Sequence, residues 1–217
     1  MTQMTTSRET LMLASRIVDQ AGELSMRFAR TYRKPLYPDG AQESDSEHTV
    51  SLGWMAIELH QQFYPHFDLG KIAIRVLVHD LVETEAGDTG TLGISENGLL
   101  DKKQRESIAR KTLRKDYPLA STLLDLEEDY DCDRPLEDFC QEDSFVFVLD
   151  KIQPSITHRV SNFAFLKSLN ITRGADLIKS VEQTTKRIER HRGRVPILCD
   201  LYQHRIHADA RMLDTST

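Results

Sequence analysis

Cysteine, glycine, proline and long apolar runs are all scarce in this chain. Its three cysteines, Cys132, Cys140 and Cys199, are an odd number at wide spacing. That suits reduced thiols in a cytoplasm, not a disulfide framework or a zinc knuckle. Ten glycines and seven prolines among 217 residues are too few for collagen-like, linker-dominated or turn-dense all-β architectures. No apolar run reaches the roughly 18 residues of a membrane span, and Met1 to Glu9 lacks the basic-then-apolar profile of a signal peptide. The expectation is a soluble, cytoplasmic protein with no membrane partner.

What is present can build a core. Hydrophobic residues make up 39% of the chain and charged residues 29%, which argues against whole-chain disorder. The net charge of −6 argues against a nucleic-acid partner. Charge is unevenly spread: residues 116–150 hold 12 acidic and 1 basic side chains, and residues 151–217 hold 12 basic and 6 acidic. Two solvated faces account for this, and a basic C-terminal helix that holds phosphates is the alternative.

Apolar residues recur at helical spacing almost throughout. Leu11, Ala14, Ile17, Val18, Ala21, Leu24 and Phe28 form a first helical stripe behind a Ser7 cap. The run Pro35-Leu36-Tyr37-Pro38-Asp39-Gly40 breaks it with turn chemistry. A second helix is expected from near Ser46, with Val50, Trp54, Ile57 and Phe63 inward, ending before Pro65. Gly70 to Val82 is apolar nearly all round, the pattern of a buried central helix, with a short buried strand as the alternative. A polar loop from Gly87 to Gly98 follows. Further helices are expected over 100–115, 118–130, 136–169 with an interruption at Pro154, 174–192 and 196–213. No repeat or linker divides the chain. The expected fold is all-α, one domain over 1–217 of about seven to nine helices, with a core near 7–190 and a C-terminal helix at 196–213.

The chemistry gathers where apolar segments end in ionisable groups. The central helix runs into His79-Asp80, followed by Glu83 and Asp88. Such groups are costly there unless paired or metal-bound. His79 and Glu83, four apart, share one face if the helix continues. A His-Asp pair alone says little, because chance supplies roughly one in a chain of this composition. Its context says more. Glu47-His48 opens the second helix, and Phe145-Val146-Phe147-Val148-Leu149 is a second apolar stretch, ending in Asp150-Lys151. Two imidazoles and two buried carboxylates form a divalent-metal set whose mixed ligation suits Mn, Fe, Co, Ni or Zn better than Ca or Mg. Plainer roles exist for each: capping for His48, a core pair for His79 and Asp80, a helix-end ion pair for Asp150 with Lys151, surface for Glu83, a turn for Asp88 and a solvated loop cation for Arg33.

His48, His79-Asp80 and Asp150 together resemble the H…HD…D signature of the HD superfamily of metal-dependent phosphohydrolases. The strings Ser46-Glu47-His48-Thr49, His79-Asp80-Leu81-Val82-Glu83, Gly87-Asp88 and Leu149-Asp150-Lys151 resemble the bacterial 5′-deoxynucleotidases within it. The likeness spans about residues 7 to 190. It implies an HD-type helical bundle in which His48, His79, Asp80 and Asp150 hold one divalent transition metal. It further implies catalytic roles for Asp80 and Glu83, the latter in proton transfer or in orienting water. Asp88 would touch the sugar, and an upstream arginine, Arg33 before Arg30, the phosphate. Lys151 is either a neighbour in the chemistry or a salt-bridge partner. The tryptophan that follows the arginine in some 5′-deoxynucleotidases is absent, and Trp54 lies within the next helix.

The implied activity is hydrolysis of a nucleoside or deoxynucleoside 5′-monophosphate through a metal-activated water. Its enzymatic alternative is a deoxynucleoside triphosphate triphosphohydrolase, for which Arg159, Lys167, Arg173, Lys179, Lys186 and Arg187 could hold the longer tail. A non-catalytic nucleotide sensor is the alternative from another class, and an all-α scaffold with an accidental His-Asp pair is a third. The family analogy allows a homodimer, which the sequence itself does not show.

Overall fold

A computed structural model describes residues 7–90, 92–130 and 135–215; Cys132 lies outside them. The fold is all-α, as expected, with one two-stranded hairpin. Among the described residues no helix is long and apolar enough to cross a membrane.

Helix α1 (Arg8–Phe28) starts where Ser7 accepts a hydrogen bond from the Thr10 amide. Only Leu24 and Phe28 of its apolar stripe are buried; Leu11, Ile17 and Val18 stay exposed. The stripe is real, but the body of the protein covers only its C-terminal end. The turn-rich segment that follows is the tip of an antiparallel hairpin, β1 (Tyr32–Leu36) and β2 (Gln42–Ser44). The turn closes with the Tyr37 amide donating to the Ala41 carbonyl, and Gly40 supplies a positive φ of 85°.

Helix α2 (Asp45–Phe63) starts near Ser46 and ends before Pro65, as expected. Ser44 accepts from the Glu47 amide and Glu47 accepts from the Ser44 amide, a reciprocal cap that sets the start at Asp45 and places His48 in the first turn. Its inward face differs. Val50, Trp54, Ile57 and Phe63 are exposed, while Asp45, His48, Thr49, Leu52, Ala56 and His60 are buried. The bulky apolar side chains misled because the buried stripe is polar at both ends.

Helix α3 (Leu69–Val78) is capped by Asp68, which accepts from the Lys71 amide. It buries Ile72, Val76 and Val78 but exposes Ile74 and Leu77, so it is buried on one side and not all round. It also stops at Val78. The amides of Leu81, Glu83 and Thr84 donate three residues back, to the carbonyls of Val78, Asp80 and Leu81. This tightened turn leads into the short α4 (Glu83–Ala86). His79 and Glu83 therefore do not share one continuous helix face.

Beyond the loop come α5 (Glu96–Asp116), α6 (Ser121–Tyr130) and α7 (Gln141–Ile152). The stretch expected to run from 136 to 169 is divided, with α8 (Pro154–Val160) starting at the anticipated proline and α9 (Ala164–Ser168) following. Helices α10 (Gly174–Ser180), α11 (Glu182–Glu189) and α12 (Pro196–Thr215) complete the fold.

Helix α7 is the axis of the core. Every residue from Glu142 to Asp150 is buried, and Phe145 to Leu149 pack with Leu52, Ile72, Val76, Leu198 and Tyr202. Each large apolar side chain so buried contributes about 1.5–3 kcal/mol. Polar clamps register α3 against it. Glu142 accepts from the Asp68 amide at 3.0 Å, and Arg75 donates to Asp143 at 2.9 Å and to the Leu126 carbonyl at 2.7 Å. The two helices run side by side in the same direction, and their C-terminal ends meet where His79-Asp80 and Asp150 lie.

His191 packs under this core, 4.6 Å from the Phe147 ring and 3.0 Å from the Ser144 hydroxyl. Burial, reinforced by Arg190, Arg194 and Arg187, lowers its pKa to about 4. The unfolded chain takes up its proton near 6.5, so stability present above that pH is lost as pH falls toward 4. A decline on the order of 2 kcal/mol is expected across that window. Urea unfolding at a series of pH values checks it, and His191→Asn should flatten the profile.

Candidate metal centre

Three helix ends build the site. His48 comes from the first turn of α2, His79 and Asp80 from the end of α3, and Asp150 from the last turn of α7. One ligand atom from each lies within 4.8 Å of all the others. His48 Nε2 is 3.0 Å from Asp150 Oδ1, and His79 Nε2 is 3.0 Å from Asp80 Oδ2. The two Nε2 atoms face each other at 3.2 Å. His79 Nδ1 stands 2.8 Å from the Val76 carbonyl, which fixes the proton on Nδ1 and frees Nε2 as a ligand atom. Two imidazole nitrogens turned toward each other and two carboxylates are the donor set of a divalent transition metal, so the residues fit the expected cofactor.

The electrostatics are those of crowded carboxylates. Burial disfavours charge on Asp80 and Asp150, yet nearby cations hold both below the usual carboxylate range: His79 and Arg33 for Asp80, Lys151 and the histidines for Asp150. Burial likewise opposes charge on His79, but Asp80 and Asp150 raise its pKa to about 9. Lys151 donates to Asp150 at 2.6 Å and also lines the cleft described below.

Arg33, on β1, points its Nη1 at Asp80 Oδ2, 2.5 Å away, and lies 3.8 Å from Glu43 and from Asp45. Burial opposes its charge, and Asp80, Asp150, Glu83 and Asp88 outweigh that effect. Arg30 is exposed. Glu83 is 3% exposed beside Asp80, with Oε1 accepting from Lys102 Nζ at 2.9 Å and Oε2 accepting no hydrogen bond. Burial first, then Asp80, raises its pKa well above the ordinary glutamate value. Asp88 accepts from the Lys34 amide at 3.0 Å, tying its loop to β1 at the rim.

Arg33, Asp88, Lys102 and Lys151 line an open cleft that joins a polar floor (Asp80, Glu83, Asp150) to an apolar end (Phe165, Leu177, Ile206). The cations anticipated for a phosphate tail are not gathered there. Arg159 pairs with Asp209, Arg173 with Asp176 and Lys186 with Glu182. Arg187 lies over the Phe147 ring, in an adjoining groove with Asp150 and Lys151.

Sequence reasoning missed Lys102, Asp45 and Glu43. Asp45 is fully buried, and its pKa rises to about 8 through burial and the Asp80 charge, against the pull of Arg33. A carboxylate three residues before His48, opening the same helix, was the available signal. Lys102 had none, because it reaches Glu83 from α5.

Fold and site together define an all-α protein with a mixed histidine–carboxylate cluster able to hold a divalent cation. Residues 28–191 match the HD domain family, and the chain belongs to it. No curated protein matches the chain. Among solved structures, it is similar to the crystal structure of a predicted metal-dependent phosphohydrolase from Magnetospirillum magnetotacticum MS-1. The TM-score is 0.61 at 22% identity, covering 89% of this chain and 97% of that one. At that identity the likeness is one of fold.

Proposed function

We propose that this protein is a metal-dependent phosphohydrolase acting on nucleotides, releasing orthophosphate from nucleoside or deoxynucleoside 5′-monophosphates. The observation that carries the proposal is the convergence of His48, His79, Asp80 and Asp150, with Asp80 and Asp150 lining an open cleft beside Arg33 and Glu83. The fold it shares with a protein described as a predicted metal-dependent phosphohydrolase agrees with this.

His48, His79, Asp80 and Asp150 would hold a divalent cation, which would supply Lewis acidity and lower the pKa of a bound water. The chain's own groups do the rest. Arg33 neutralises charge that develops on the phosphoryl oxygens. Its guanidinium is held at the cleft by Asp80, Glu43 and Asp45, close to where such oxygens would enter. Glu83, whose pKa burial and the Asp80 charge raise against the pull of Lys102, passes a proton to the leaving oxygen. Asp88 stands at the rim, placed for a sugar hydroxyl. Lys151 balances the Asp150 charge. The apolar end of the cleft takes the base.

Monophosphate is preferred over triphosphate because none of Arg159, Arg173 and Lys186 lines the cleft. The test is product analysis over a panel of nucleoside and deoxynucleoside mono- and triphosphates with Mn²⁺, Co²⁺, Zn²⁺ or EDTA. Orthophosphate from monophosphates is the expected result. Triphosphate released from triphosphates would move the protein to the alternative reaction, and binding without turnover would make it a sensor.

A further inference from the structure

The closest partner of Arg33 is an oxygen with another claim on it. Among the described residues the guanidinium makes one hydrogen bond, from Nη1 to Asp80 Oδ2, and Asp80 also belongs to the metal-ligating set. A cation at that set competes with Arg33 for the aspartate. On the other edge of the guanidinium, Nε is buried and donates to nothing. Facing it at 3.8 Å is Glu43 Oε2, which is buried and accepts nothing. Orphaned polar atoms of this kind are costly to bury, and moving about 1 Å closer brings the two to hydrogen-bond length. Glu43 is a fixed anchor. Its Oε1 accepts from Gln153 Nε2 at 2.8 Å and from the Thr157 hydroxyl at 3.4 Å. Gln153 directly follows α7 and Thr157 lies on α8, so the glutamate is tied to the same helix that carries Asp150.

We propose that Glu43 is the positioning residue of Arg33: as a cation draws on Asp80, Arg33 Nε closes on Glu43 Oε2 and leaves Nη1 for a phosphoryl oxygen. Only the role given to Nη1 rests on the phosphohydrolase reading. Asp45 is less suited to this part, because it faces Nη1, the atom that substrate needs, at 3.8 Å. Metal binding and arginine placement are thereby coupled. A guanidinium with a second carboxylate within reach gives up Asp80 more readily than one with none.

The experiment is Mn²⁺ binding to the full chain by equilibrium dialysis, in a double-mutant cycle of Glu43→Gln and Arg33→Met. Arg33→Met should tighten the ion, because a competitor for Asp80 is gone. Glu43→Gln should loosen it about tenfold, because Arg33 then has no carboxylate in place of Asp80 on its Nε side. The same Glu43→Gln change made in the Arg33→Met chain should leave the affinity unchanged. Gln153→Met, which releases Glu43 without altering its charge, should loosen the ion in the same direction and guards against a folding fault in the first variant. Kinetics add a second readout. Glu43→Gln should raise KM for a nucleoside monophosphate several-fold and leave inhibition by the nucleoside, which lacks the phosphate, unmoved. Equal loosening with and without Arg33 would reduce Glu43 to a nearby charge and overturn the proposal, as would no loosening in either. The expected binding pattern without phosphate release would keep the coupling and overturn the phosphohydrolase reading. A chain that binds no ion overturns the metal centre and the proposal together.

Discussion

Asp80→Ala should lower phosphate release by about 10³-fold or more, because several kcal/mol of transition-state stabilisation depend on the cation and each 1.36 kcal/mol is tenfold in rate. Asp80 meets both histidines and the arginine. Its carboxylate meets His79 at 3.0 Å and Arg33 at 2.5 Å, and its Oδ2 is 4.0 Å from His48. The variant loses a ligand and the anchor of the arginine together. It should nevertheless fold, since Asp80 keeps 17% side-chain exposure and Arg33 retains Glu43 and Asp45 nearby. Metal content and thermal unfolding, measured beside turnover, separate the two losses. A folded Asp80→Ala protein with wild-type turnover would remove Asp80 from the chemistry.

The second large effect belongs to Glu83. Glu83→Gln keeps the shape of the side chain and its place beside Lys102 but cannot donate a carboxylic proton. Turnover should fall by about 10²- to 10⁴-fold, the usual contribution of a positioned acid or base. The metal ion should remain, because none of its four ligands is altered. The pH profile is the sharper readout. Burial and Asp80 raise the pKa of Glu83, Asp88 adds to this, and Lys102 and Arg33 oppose it. Turnover that needs the protonated acid is full below that pKa and is lost as pH rises through it. Lys102→Met removes an opposing charge and should move the alkaline limb to higher pH. An alkaline limb that persists unmoved in Glu83→Gln would assign it to another group.

The sequence showed the ligands better than the framework that holds them. His48, His79, Asp80 and Asp150 stood out because each ends or opens an apolar helix, where an ionisable group needs a reason. Their meeting also rested on the likeness to a family, and the parallel run of α3 and α7 accounts for it physically. Which apolar residues face inward was less legible. On α2 the buried stripe runs through Asp45, His48, Leu52, Ala56 and His60 and leaves Val50, Trp54 and Ile57 on the opposite, exposed face, so hydrophobicity pointed to the wrong side. On α1 the stripe was read correctly, but periodicity alone does not tell which part of a helix meets the core. The break at His79 left no sequence mark, as neither Gly nor Pro occurs there. Asp45 and Lys102 owe their place to contacts between elements, which no local pattern encodes.

The central claim is that the histidine–aspartate cluster binds a divalent ion that phosphoester hydrolysis requires. The most direct measurement is phosphate release by the chelator-stripped chain during stepwise return of Mn²⁺ or Co²⁺, with bound metal counted at each step. The account predicts no turnover without metal and recovery that is complete when one ion per chain is bound. Full turnover by the metal-free chain would contradict it, as would an ion bound at that cluster with no hydrolysis of any nucleotide.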